Sequence, residues 1–483
     1  MSLTAARRGP APHAPAAVHP GLVLAFLCVV QSMVYLDVTI VNVALPSLQR
    51  GLGMADGDLQ LVVTAYGTVL GGFLLLGGRL ADMLGRRRLL QAGMALFGAA
   101  SLAAGLAHEP AVLIAARAVQ GLGAALTAPA ALSTLTTTFP EGAARNKALG
   151  IWGALAGVAS VLGVLLGGLL TQGPGWRWIF FVNVPVALAA LLLAPRVLPE
   201  SRAAHDGPRR FDAVGAATLT AGLLLLIFTL DQAVTAGWAT ARTIGGLAGA
   251  ALLLAAFVAV ELRTAAPLLP MRIFRLRALR AANLGTALML GAMGTLFFFA
   301  SLFMQQVLGY DALRTGLAYV PLALAVIVGA GVASGLVTKL PARAVLAAGL
   351  ALATAGLLLL ARLPLDAGYA GRVLPPFVLV GVGLGMSFVP FQIAAAFGVA
   401  ERESGVAAGL INTSQEAGGA VGLAVVSTAA FTRIGHTASG SSASALRAAR
   451  ASGFHEAFLI GAGFAFAALL VALLLLPRMR TEG

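Results

Sequence analysis

Residues 77–88 read GGRLADMLGRRR. They join two apolar runs, at roughly 60–78 and 89–107, each long enough to cross a bilayer core of about 30 Å. A short glycine-bearing turn lets two helices approach closely, and Asp82 can pair with Arg86, Arg87 and Arg88 or with a helix end. The plainer reading is a basic loop that only fixes orientation in a membrane. The order Gly78-x-Leu-Ala-Asp82-x-x-Gly85-Arg86-Arg87 is more specific than that.

The rest of the chain repeats the theme. Of 483 residues, 59% are hydrophobic and 10% charged, against about 25% charged in a soluble domain, and the mean hydropathy is +0.92. The runs are too long and too continuously apolar for the alternating strands of a barrel, so the chain reads as an all-α polytopic membrane protein. The pattern predicts fourteen spans, at roughly 21–45, 60–78, 89–107, 110–133, 148–171, 178–198, 212–232, 243–263, 279–303, 314–338, 343–362, 373–396, 404–430 and 456–476. An even number puts both termini on one side. Lys and Arg concentrate there, in 77–88 and in the cluster Arg263, Arg272, Arg275, Arg277 and Arg280, which marks that side as cytoplasmic. The +14 charge then reflects topology and contact with a bilayer of anionic lipid, not nucleic acid. Residues 1–20 read as a cytoplasmic tail rather than a cleaved signal. A single cysteine, Cys28, excludes an intrachain disulfide framework and a Cys-based metal site. The stretch 431–455 reads as a long polar loop on the opposite side.

The chain falls into related halves. GLVTKLPARAV at 335–345 joins spans 10 and 11 as 77–88 joins spans 2 and 3, each with a glycine at the helix end followed by basic residues. This divides the chain into an N-terminal six-helix bundle at 21–198, linkers with two inserted spans at 199–278, a C-terminal six-helix bundle at 279–476, and a tail at 477–483. Two such repeats with a site between them form the architecture of alternating-access transporters.

Residues 77–88 resemble the signature loop of the major facilitator superfamily. Further stretches resemble its fourteen-helix drug/proton antiporters: LDVTIVNVALP (36–46), LIAARAVQGLGAA (113–125), WRWIFFVNVPV (176–186), FMQQVLGYDALRTGLAYVP (303–321) and AAGLINTSQEAGGAVGLAV (407–425). The resemblance implies a major facilitator fold of two six-helix bundles plus two inserted helices. It also implies a cytoplasmic latch made by Gly78, Asp82, Gly85, Arg86 and Arg87 that steadies the outward-open state. Two departures stand out. GVASVLGVLLGG (157–168) has Gly163-Val164 where such antiporters carry Gly-Pro, although Gly157, Gly163, Gly167 and Gly168 still allow close packing. Loop 335–345 has no acid matching Asp82.

Three charges are deep: Asp37, Arg117 and Glu416. Each costs about 2.5–3.5 kcal/mol at a helix centre on insertion scales. Asp37 lies about 12 Å and Arg117 about 10 Å from the same membrane face at about 1.5 Å per residue, so the two are level. The resemblance places spans 1 and 4 beside a central cavity. Asp37 and Arg117 are therefore expected to face it, coupled directly or through Asn42, Gln120 or water. They act either in proton coupling or as a static pair that fixes packing. Glu416 lies near the midplane among Asn412, Ser414 and Gln415. It reads either as a second cavity acid that attracts a cation or carries a proton, or as a carboxylate satisfied between helices. Gln31, Tyr35, Thr64, Tyr66, Gln305 and Gln392 are further candidate liners, and Trp152 and Phe298 candidate aromatic surfaces.

The leading expectation is a proton-coupled exporter of amphipathic, cationic, drug-like compounds in a bacterial plasma membrane, working as a monomer on a small-molecule substrate and protons. The alternatives are a dedicated exporter of one endogenous metabolite or antibiotic, and a transporter-like sensor without turnover. No phosphate loop, nucleophile–His–acid set or metal-ligand cluster suggests an enzyme or a cofactor.

Overall fold

The computed structural model describes residues 19–54, 56–201, 212–264, 267–310, 312–400, 403–437 and 442–477. Most of the two expected tails and residues 202–211 lie outside the described residues. Everything described is helix, turn or irregular backbone, and twelve of the helices are long and apolar enough to cross a membrane. With no water in the bilayer core, each crossing segment must satisfy its backbone internally, which a helix does.

The N-terminal part comprises α1 (Pro20–Leu52), α2 (Asp56–Leu84), α3 (Arg86–Gly105), α4 (Pro110–Thr138), α5 (Ala143–Gln172), the short α6 (Trp178–Phe181) and α7 (Asn183–Val197). Next come α8 (Ala213–Ala236) and α9 (Ala241–Glu261). The C-terminal part comprises α10 (Arg277–Leu302), α11 (Ala312–Ala318), α12 (Val320–Leu336), α13 (Ala342–Leu360), α14 (Leu374–Ala396), α15 (Ser404–Thr437) and α16 (Ala443–Leu475). The α2–α3 junction with its arginines marks what is called here the basic end.

Helix packing repeats between the two parts. α1 packs on α5 as α10 packs on α15; α2 and α3 flank α4 as α12 and α13 flank α14; α3 meets α7 as α13 meets α16. The close approaches correspond too. A Cβ on Gly163 or Gly167 of α5 would collide with Thr39 or Val43 of α1, and one on Gly418 or Gly422 of α15 with Ala287 or Gly291 of α10. Glycine pairs four residues apart thus let the backbones touch in both parts. The parts meet along α2 and α4 against α15, and α5 against α12 and α14. α8 and α9 pair with each other, and α8 lies on both α2 and α15, where Gly71 and Gly72 accommodate Ile227 and Leu224.

Several boundaries differ from the sequence expectation. The polar loop expected at 431–455 is largely helical: α15 runs on to Thr437 and α16 begins at Ala443, capped by Ser442 through the Ala445 amide at 3.2 Å. Ala and Arg are strong helix formers, so a stretch too polar for a span still extends one. The sixth and tenth expected spans run through at Trp178–Val197 and Arg314–Leu336, each with a local irregularity, at Val182 between α6 and α7 and at Tyr319 between α11 and α12. α3 and α5 are not among the twelve apolar helices; α3 opens on three arginines and is rich in Gly and Ala.

Candidate functional site

Asp37 of α1 is fully buried, and two helices, α4 and α7, supply its partners. Its Oδ2 accepts from Arg117 Nη1 of α4. Its Oδ1 accepts from Asn183 Nδ2 of α7 at 2.9 Å and from Gln120 Nε2 of α4 at 3.3 Å. Gln120 also donates to Ser101 Oγ of α3 at 2.7 Å, and its Oε1 accepts from Arg117 at 3.0 Å. Arg117 Nε donates to the Val62 carbonyl of α2 at 3.1 Å, and the guanidinium lies 4.3 Å from the Tyr66 ring centroid. Arg117, Gln120, Asn183 and Ser101 are each at most 1% exposed. A buried pair in low dielectric is tolerable only when its remaining hydrogen-bonding capacity is filled, as it is here.

Beside this network lies a cavity of about 290 Å³ between the two parts. Arg117 reaches its wall, while Asp37 stands behind it. Tyr35 and Tyr66 line one side, and Met289, Met293 and Phe297 of α10 the other. Those three α10 residues are spaced by four, so one helix face carries them. Phe388 of α14 also lines the cavity, close over Gly153 of α5.

Glu416 of α15 faces the same cavity. It lies over Gly71 of α2, at the seam between the parts. No hydrogen bond or ion pair holds its carboxylate among the described residues, and the residue is exposed where the cavity lies beside it. Its neighbour Ser414 turns away, donating to Asn283 Oδ1 at 2.8 Å.

At the basic end Asp82 is buried, and it binds across the seam. Its two carboxylate oxygens accept from the backbone amides of Gly405 and Val406, each at 3.0 Å, at the first turn of α15. The carboxylate therefore occupies the positive end of that helix. Arg86 lies 3.6 Å from Asp82 and donates to Ser404 Oγ at 2.8 Å and to Thr137 Oγ1 at 3.1 Å. Gly78 is required because α2 crosses α15 there: an added Cβ would meet the Gly405 carbonyl at 2.2 Å. Gly85 has φ +107°, a left-handed value suited to glycine, and opens α3. Arg87 donates to the Leu198 carbonyl and pairs with Glu200 at 3.5 Å.

The remaining sequence candidates divide. Gln31 is buried, its side-chain oxygen has no partner among the described residues, and it is not among the cavity liners. Asn42 is exposed and takes no part in the Asp37 network, because five residues turn it about 140° round α1. Gln305 is exposed beyond the cavity, donating to Ser301 at 2.9 Å. Gln392 lines a second pocket at the basic end, of about 240 Å³, rather than the central one. Thr64 and Asn412 are not among the cavity liners. Trp152 is buried, and Phe298 points outward against Phe299, so the cavity aromatic on α10 is its neighbour Phe297. A Cβ on Gly168 would meet nothing within 4 Å, so the contact with α1 rests on Gly163 and Gly167; the surroundings of Gly157 lie outside the described residues. Sequence reasoning missed Ser101, Asn183 and the methionine stripe. Asn183 stood inside a quoted motif, and the i, i+4, i+8 spacing of Met289, Met293 and Phe297 was the available signal for the third.

The comparisons with known proteins agree in kind. The family model described as Major Facilitator Superfamily matches residues 27–423. The cephamycin export protein CmcT of Amycolatopsis lactamdurans is 43% identical over 407 residues, 84% of each chain. The puromycin resistance protein pur8 of Streptomyces alboniger is 41% identical over 409 residues, 84% of this chain and 80% of that one. Among solved structures, the human organic anion transporter MFSD10 superposes with TM-score 0.67 at 16% identity, covering 94% of this chain and 99% of that one. The proton:xylose symporter XylE gives 0.65 at 14% identity, covering 96% and 97%.

Proposed function

Because this chain belongs to the major facilitator superfamily, a family of membrane transporters and not of enzymes, we propose that it is a proton-coupled exporter of amphipathic, cationic compounds. The observation that carries the substrate class is Glu416, a carboxylate without a protein partner among the described residues, facing a cavity of methionines and aromatic rings. Leaving such a group charged and alone in an apolar space is costly, so it binds either a proton or a cationic substrate. Mutual exclusion between the two is the requirement of antiport.

The export direction is supported by relatives named for antibiotic export and resistance. The setting is read as a bacterial plasma membrane, supported by the bacterial relatives, with both termini cytoplasmic, supported by the arginines at the basic end. In this reading α3 and α5 also span, giving fourteen crossings. The helices of 21–198 and 279–476 rock against each other as bundles, and α8 and α9 are the insertion. The latch of Asp82 and Arg86 then holds the cytoplasmic side shut, a role supported by their contacts with the first turn of α15. Arg117 connects the cavity with Asp37: a charge change at the wall alters the guanidinium, and Asp37 responds behind it. The small molecule, protons and the bilayer are the partners, and one chain suffices.

A second reading is a dedicated exporter of a single antibiotic, favoured by relatives named for cephamycin and puromycin. A panel of toxic compounds in a host lacking its own pumps separates the two. Broad resistance to cations that disappears in Asp37→Asn supports the first, and resistance to one compound alone supports the second. A correctly inserted Asp37→Asn protein that exports at the wild-type rate under a pH gradient contradicts proton coupling through this site.

A further inference from the structure

We infer that the cavity contains a stacking subsite for a planar aromatic cation, with Phe297 as the contact ring and Tyr319 and Phe377 as the residues that position it; this rests on the export reading above. Phe297 and Tyr319 lie nearly parallel, with ring centroids 5.4 Å apart and planes at 21°. Tyr319 in turn stacks on Phe377 at 5.3 Å and 25°. These are the only face-parallel aromatic pairs among the described residues; the others are edge-on or tilted. Three rings therefore form one series running from α10 through the α11–α12 break to α14.

The series has one open end. Phe377 is 0% exposed, and Tyr319 is half-buried and stacked on both neighbours. Phe297 alone of the three lines the cavity, and with one face taken by Tyr319 its other face is the one left for a ligand. The Tyr319 hydroxyl donates to the carbonyl of Phe297 itself at 2.8 Å, which ties ring and backbone together and fixes the spacing.

A ring held this way adds a fourth aromatic plane with little further ordering, and offset-stacked pairs gain energy beyond simple area burial. Met293 and Met289, one and two turns before Phe297 on the same face, supply a soft, polarisable flank that adapts to different ring outlines. Glu416 on the same cavity offers the counter-charge.

The test uses the full chain in lipid nanodiscs and two monocations, planar proflavine and ring-free tetrapropylammonium, the second measured by competition. Phe297→Leu is expected to weaken proflavine about fivefold while tetrapropylammonium changes less than about twofold. Phe297→Tyr keeps the ring and restores proflavine binding. Tyr319→Leu, outside the cavity, is expected to shift the proflavine-to-tetrapropylammonium ratio in the same direction, and Tyr319→Phe to shift it less. Equal losses for both cations in Phe297→Leu, no loss for either, or no proflavine binding by the wild type overturns the inference. Failure of the underlying charge reading looks different: Glu416→Gln then leaves both cations bound as before, while Phe297→Leu still lowers proflavine alone.

Discussion

Asp37 and Glu416 are two carboxylates deep in a membrane protein, and their surroundings are opposite. Asp37 is sealed by a guanidinium and two amides drawn from α4 and α7, with a hydroxyl from α3 behind them. Glu416 faces a cavity and has no protein partner among the described residues. A charge whose solvation is supplied by fixed donors is part of the packing, and removing it disturbs the fold. A charge without such donors waits for a mobile partner. In the exporter proposed above, the first is the coupling group and the second the exchanging one.

The largest expected effect comes from Asp37→Asn. It strands the buried Arg117 charge, and breaking a buried pair from one side costs about 3–5 kcal/mol. Thermal unfolding in nanodiscs should move clearly downward, and gradient-driven export should fall to background. The double variant Asp37→Asn/Arg117→Gln sharpens the point: with both charges gone, thermal stability should return toward wild type while export stays lost. Recovery of export in the double variant would mean the pair is only structural.

Glu416→Gln should behave in the opposite way. Thermal stability should hold or rise, because an uncompensated charge has left an apolar cavity. Binding of cationic substrates should weaken about tenfold, the scale of one charge-assisted contact, with neutral compounds unaffected. Equal losses for cations and neutral compounds would erase the contrast with Asp37.

The smallest effect is expected at Asp82, a buried acid whose partners include backbone amides of α15. Asp82→Asn weakens an interaction with a helix N-terminus worth about 1 kcal/mol. A cysteine placed at Ala408, in the pocket at the basic end, should then label about fivefold faster, with substrate affinity little changed.

Much of this site was legible in the sequence. Apolar runs located the helices, and helix rise alone put Asp37 level with Arg117. Residues that meet only through tertiary packing were not legible. Asp82 could be paired with nearby arginines from its own loop, but its closest partners are amides more than 300 residues away. Phe298 and Phe297 differ by one position, about 100° on a helix, and no local pattern says which faces inward. Asn42 failed for the same angular reason. The extent of α15 and α16 was hidden because hydropathy reports what a bilayer accepts, while an Ala- and Arg-rich stretch stays helical beyond it.

The most direct measurement is proton release on substrate binding, in weakly buffered solution, by the purified full chain. The account predicts that a cationic substrate displaces a proton from the wild type and still does so from any Asp37→Asn protein that folds and binds, whereas Glu416→Gln binds weakly and releases none. Undiminished release from Glu416→Gln at saturating substrate would contradict it.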